Sequence, residues 1–201
     1  MYTVSLCSVD MRVKYYEDNL NLNQMEREEI LKLLRDEDSK QLILSELGDT
    51  CESEIIQVMI GLFDDTRIEI RGEVFSSLFL NSNDIFEELI LGLRHQSKSV
   101  RAYTTLVLAN RGENRAKDEI KRLTNDPSGF VRTCAYGALG HLEIIDAAEE
   151  LHRGIFDSNV EAVKSAAYGL SRIGEEVSKD ELEKLQRLED PDFEKILKFF
   201  N

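Results

Sequence analysis

Four basic residues recur at nearly equal spacing, and this recurrence restricts the fold more than any other feature of the chain. Arg71, Arg101, Arg132 and Lys164 lie 30, 31 and 32 residues apart. Each follows an aliphatic residue: Ile70, Val100, Val131 and Val163. A polar, turn-like cluster opens each of the segments 64–80, 96–112, 126–142 and 157–174. Small and aliphatic residues follow at helical spacing, and three of the four segments end near a glycine. A fixed period of this length marks a repeat architecture built from one recurring supersecondary unit. The register reaches further in both directions, to Lys40 before Arg71 and to Lys195 after Lys164.

Between these segments lie the stretches 55–63, 84–95, 115–125 and 145–156, with apolar residues three and four apart. That spacing predicts a second helix in every unit. In the last stretch Ile145, Ala148, Leu151 and Ile155 form the predicted stripe. About six helix pairs fit into residues 24–201, the last one truncated and acting as a C-terminal cap. Residues 1–23 fall outside the period. Val4, Leu6, Val9, Met11 and Val13 partly alternate, so this N-terminal extension reads as a short strand, an extended cap or a disordered tail.

Composition agrees with a folded helical chain. Of 201 residues 42% are hydrophobic and only two are proline, so a core is within reach and helices are seldom interrupted. No run approaches the ~18 apolar residues of a membrane span. Cys7, Cys51 and Cys134 are far apart and form no CxxC pair. They read as reduced thiols. The first residues lack the basic start and apolar run of a secretory signal, so a cytoplasmic location is expected.

The pattern D-x-x-x-x-(V/I)-R-x-x-A-x-x-A-L-G, carried by Asp126, Val131, Arg132, Ala135, Ala138, Leu139 and Gly140, resembles the short HEAT-like repeats of the phycobilisome-lyase type. The other units match more loosely: Gly72, Glu73 and Val74 follow Arg71, Gln96-Ser97 stand where the aspartate is expected, and Lys164 replaces the arginine. The resemblance implies an all-α fold, a right-handed armadillo-like α-solenoid of about six stacked two-helix repeats forming one domain over residues 24–201. It also implies a structural ladder. In the resembled family the basic residue hydrogen-bonds the aspartate side chain and the backbone of the preceding turn, which assigns Arg71, Arg101, Arg132 and Lys164 as donors and Asp65, Asp126 and Asp157 as acceptors.

No residues assemble into recognisable catalysis. The chain has no GxSxG, HExxH, GxxxxGK(S/T) or GxGxxG motif. Cys134 and His141 are seven residues apart, two helical turns or roughly 10 Å, too far for a nucleophile and its base. His95, His141 and His152 lack the convergent spacing of metal ligands. No catalytic residue, metal or cofactor is therefore expected, and no small-molecule ligand.

Charge points to a partner. Residues 1–90 hold 8 basic and 20 acidic residues, residues 91–135 hold 9 and 4, and residues 136–201 hold 8 and 15. The register places the segments beginning after the aspartate on the concave side. Asp38, Gln41, Ser45, Glu69, Glu73 and Ser76 then form an acidic entrance. Ser99, Tyr103, Leu106, Asn110, Phe130, Thr133 and His141 form a partly aromatic centre, with Glu161, Ser165 and Arg172 beyond. Aromatic anchors ringed by charge suit a protein interface, and the acidic surface suits a basic protein partner. The expectation is a non-enzymatic protein-binding module, in its sharpest form an immunity protein or inhibitor of a basic toxin. The alternative that the resemblance implies is a bilin-lyase-like subunit. Nucleic-acid binding ranks third, because a net charge of −14 repels phosphates.

Overall fold

The computed structural model describes residues 25–188 and residue 200. The expectations for residues 1–23, Cys7 and Lys195 lie outside the described residues. Eleven α-helices and no strand occur among the described residues. They pair as predicted: α1 (Arg27–Arg35) with α2 (Lys40–Leu44), α3 (Ser53–Gly61) with α4 (Ile68–Leu80), and α5 (Phe86–Gly92) with α6 (Lys98–Asn110). The pairs α7 (Lys117–Leu123) with α8 (Gly129–His141) and α9 (Ala148–Gly154) with α10 (Val160–Ile173) follow, and α11 (Lys179–Gln186) opens a sixth unit. The chain is an all-α solenoid of stacked two-helix units.

One apolar core runs through the stack from Ile30 to Leu185. No two-helix unit buries its apolar face alone, so each is held by its neighbours. The long helices α4, α6, α8 and α10 form one layer and the short ones the other. Packing is closest between α8 and α10, where small residues permit it. A Cβ on Gly140 would lie 2.5 Å from the Cα of Gly169, so the two helices touch glycine to glycine.

Caps punctuate the repeat. Ser97 accepts from Ser99 N and Asn159 from Ala162 N, and Ser178 with Glu181 makes a reciprocal capping box at α11. At the other ends, Gly112, Glu143 and Gly174 take the left-handed backbone at φ 70°, 53° and 75°. The next residues, Glu113, Ile144 and Glu175, each donate to a carbonyl five residues back, at Leu108, Leu139 and Leu170. Glu143 thus occupies the turn position of a glycine. Gly140, the glycine near the end of its segment, serves packing instead of the turn.

The stripe predicted for residues 145–156 is rotated. A 3-10 turn spans Ile145–Ala147 and brings Ile144 and Ala147 inward with Leu151 and Ile155, leaving Ile145 69% exposed. A 3-10 turn advances 120° per residue rather than 100°, enough to shift the face by one position.

Candidate functional site: the long-helix face and its ladder

The ladder is assembled from the turns before the long helices. Arg132 Nη1 donates to the carbonyls of Asp126 (2.9 Å) and Pro127 (3.3 Å) in its own preceding turn. Its Nε and Nη2 clamp the carboxylate of Asp157, both at 2.7 Å. Arg101 repeats the geometry on the carbonyls of His95 and Gln96 (2.8 Å each) and the carboxylate of Asp126 (2.7 and 2.9 Å). The carboxylate thus comes from the following unit, whereas the resemblance assigned both partners to the preceding turn. The bridge ties unit to unit for this reason. Asp126 and Asp157 also accept from the backbone N–H two residues on, at Ser128 and Asn159, which fixes the turn into the next helix.

The ladder begins one unit earlier than expected. Lys40 is buried, and its Nζ lies 2.7 Å from both Asp65 and Glu37. Arg67 adds a second donor to Asp65. Burial alone would push the Asp65 carboxyl up, but the hydrogen bonds from Lys40 and Arg67 outweigh it and hold it well below the usual carboxylate range. The register already marks Lys40, thirty-one residues before Arg71, but the resemblance assigns the ladder only from Arg71 onward. Arg111 left no such signal. Its side chain is 10% exposed and donates to the carbonyls of Leu78 (2.9 Å) and Asn83 (2.9 Å), closing the C-terminus of α4. Lys164 pairs with Glu161 at 3.2 Å.

Arg71 departs from the pattern. Its Nη1 holds the carbonyls of Asp65 (2.7 Å) and Thr66 (3.1 Å) as its counterparts do. Its guanidinium lies over the ring of Tyr103, 5.9 Å from the centroid. Among the described residues no carboxylate reaches it. The aspartate's place in the third unit is taken by His95, whose Nδ1 accepts from Ser97 N at 3.1 Å as Asp126 accepts from Ser128 N.

The residues predicted to meet a partner lie on successive helices. Glu69, Glu73 and Ser76 are on α4, Tyr103, Leu106 and Asn110 on α6, and Phe130, Thr133 and His141 on α8. Asp38 and Gln41 are exposed at the start of the stack, with Gln41 on α2. Tyr103 is half-buried, stacked on Phe63 at 5.3 Å and meeting Phe130 edge-on at 5.8 Å. Phe130 is 42% exposed and is the aromatic that faces solvent in this row. Leu106 packs between α6 and α8 against Ala102, Val131 and Cys134. Thr133 Oγ1 donates to its own helix at Gly129, and the Asn110 amide to Leu106. Asn110 and His141 line a shallow cavity of about 250 Å³. Among the described residues Glu69 and Glu73 make no hydrogen bond or ion pair, whereas the basic middle is largely occupied: Arg94, Arg115, Lys117, Lys121 and Arg122 all contact carboxylates.

Cys134 is buried, and desolvation pushes its thiol up to about 12, so it carries no thiolate near neutrality. Cys51 is exposed. A maleimide at pH 7 should label Cys51 within minutes and leave Cys134 untouched until denaturant is added, as read by peptide mass spectrometry. Labelling of Cys134 in the native state would contradict the packing of α8. His152 Nδ1 lies 2.7 Å from the buried Glu181, an inter-unit contact rather than a ligand cluster. Among the described residues no three His, Cys, Asp or Glu side chains converge as for a metal. Nor is any described helix long and apolar enough to cross a membrane.

No protein-family model matches the chain, and no curated protein matches it. Solved structures do. An engineered protein aligns with TM-score 0.56 at 17% identity, covering 87% of this chain and 97% of its own. A second engineered protein aligns with TM-score 0.54 at 19% identity, covering 87% and 95%. A designed armadillo repeat protein in complex with the peptide (KR)4 aligns with TM-score 0.52 at 17% identity, covering 88% and 100%. At such identity the likeness is one of fold alone, an α-solenoid of stacked helical repeats.

Proposed function

We propose that this protein is a non-enzymatic interaction module that holds a basic protein segment along the inner face of its long helices. The observation that carries this reading is where charge is left unpaired. The basic residues of the middle units, Lys98 excepted, are spent on neighbouring carboxylates and carbonyls, which disfavours phosphate backbones as ligands. Among the described residues Glu69 and Glu73 on α4 are unspent, and they precede the aromatic row of Tyr103 and Phe130. A basic side chain there gains two unsatisfied acids, and an apolar one gains Phe130. That a designed armadillo protein of similar fold is in complex with (KR)4 supports this choice of occupant. In its sharper form the partner is a basic toxin domain, such as a nuclease, which this chain covers and neutralises in the cytoplasm.

The test is the triple charge reversal Asp38→Lys, Glu69→Lys and Glu73→Lys. Binding of a Lys/Arg octapeptide should fall at least tenfold, about 1.4 kcal/mol. Helical circular dichroism should not change, because these are surface side chains. Unchanged affinity would mean the wrong face has been chosen.

A further inference from the structure

We infer that the seam between the second and third units is a carboxylate-binding site, at which Arg71 receives an acidic side chain from an otherwise basic extended peptide. The inference rests on the inner-face reading, since the peptide is the one held there.

The ladder itself shows what the site accepts. At Arg101 and Arg132, Nη1 is fixed on two turn carbonyls, and the Nε/Nη2 edge clamps a carboxylate from the next unit. At Arg71 the same Nη1 contacts fix the fork in the same way, but the next unit offers His95. Its Nδ1 is already the acceptor for Ser97 N. Among the described residues no hydrogen bond or ion pair falls on Nε or Nη2 of Arg71. The unit has therefore kept the donor and the turn and lost the acceptor. A guanidinium edge is suited to a carboxylate in bidentate geometry, and Arg71 is only half-buried while His95 is exposed, so an outside carboxylate has access.

The surroundings say what carries that carboxylate. Arg71 stands over Tyr103, which Phe63 backs and Phe130 flanks. Glu69 and Glu73 lie two residues to either side of it on α4, about 200° round the helix from it, and among the described residues neither has an ion-pair partner. A free anion would meet this negative field and be repelled. An extended peptide that crosses α4, with one Asp or Glu between Lys or Arg residues, fits both features: its carboxylate on Arg71 at one flank of the helix and its basic side chains on Glu69 and Glu73 at the other.

The experiment compares two blocked octapeptides of Lys and Arg, one with a central Glu and one with Gln, by fluorescence anisotropy on the full chain. The native protein should bind the Glu peptide about tenfold more tightly. Arg71→Gln should erase that preference. His95→Asp should erase it too, because the ladder's own carboxylate then fills the site, and it should also raise the Tm. This second variant guards against an Arg71→Gln chain that fails to fold. Equal binding of both peptides by the native protein would overturn the seam while leaving the inner-face reading intact. Failure of both peptides to bind would overturn both. A His95→Asp chain that keeps the preference, or a single-stranded oligonucleotide that outcompetes the Glu peptide, would also overturn the carboxylate site.

Discussion

Replacing Arg132 by alanine should cost about 3 kcal/mol of stability, because it strands a buried carboxylate. The Asp157 side chain is 5% exposed, that of Arg132 16%, and the two share two short hydrogen bonds. Removing one member of a buried pair leaves the other without its counter-charge, which is far more costly than losing an exposed pair. Arg122→Ala, at a side chain 64% exposed, should leave the Tm within error. The pH dependence separates charge from packing. The hydrogen bonds from Arg132, outweighing burial, hold the Asp157 carboxyl below its ordinary 3.8. A carboxyl lowered in the folded state stabilises fully above its unfolded value, and that contribution is lost as pH falls through the folded one. The Tm gap between native protein and Arg132→Ala should therefore be widest near neutrality and shrink in acid. Thermal melts from pH 7 to pH 3 read it directly, and a gap constant with pH would assign the loss to packing instead.

The glycine contact between α8 and α10 should be equally demanding. Gly140→Val sets a branched side chain where even a Cβ meets the Gly169 backbone at 2.5 Å, and a backbone cannot rotate away as a side-chain tip can. Overpacking of a tight core costs about 1–3 kcal/mol and occasionally more, and here the upper end or beyond is expected. Gly137→Ala, one turn earlier on the same helix, is the control. Its added Cβ would sit 3.9 Å from Ser165 Oγ, ordinary contact. The gain in helix propensity should raise stability by up to about 1 kcal/mol. Urea denaturation of the two variants should move the midpoint in opposite directions. A Gly140→Val protein as stable as the native one would mean that the long helices are not in glycine-to-glycine contact.

The 31-residue register made the fold legible, since an aliphatic-basic pair and a turn recurring at one spacing leave few architectures open. The register also located the long helices, and with them the row of Tyr103 and Phe130. It was blind where a residue changes type but keeps its role. His95 does the turn work of an aspartate, yet an imidazole does not look like a carboxylate in a motif, so the unit read as lacking its polar anchor. Glu143 likewise takes a glycine's turn position. The direction of the bridges was also hidden, because an offset of 25 residues forward and one of six residues back fit the same period. Arg111 was beyond reach of the pattern, since its partners are carbonyls, which leave no mark in side-chain sequence.

The most direct test of the inner-face account is amide hydrogen exchange on the full chain with and without a saturating Lys/Arg octapeptide. The account predicts slowed exchange at the solvent-facing turns and first residues of α4, α6 and α8, with the short helices α5, α7 and α9 unchanged. Protection confined to the short helices, or none at saturation, would contradict it.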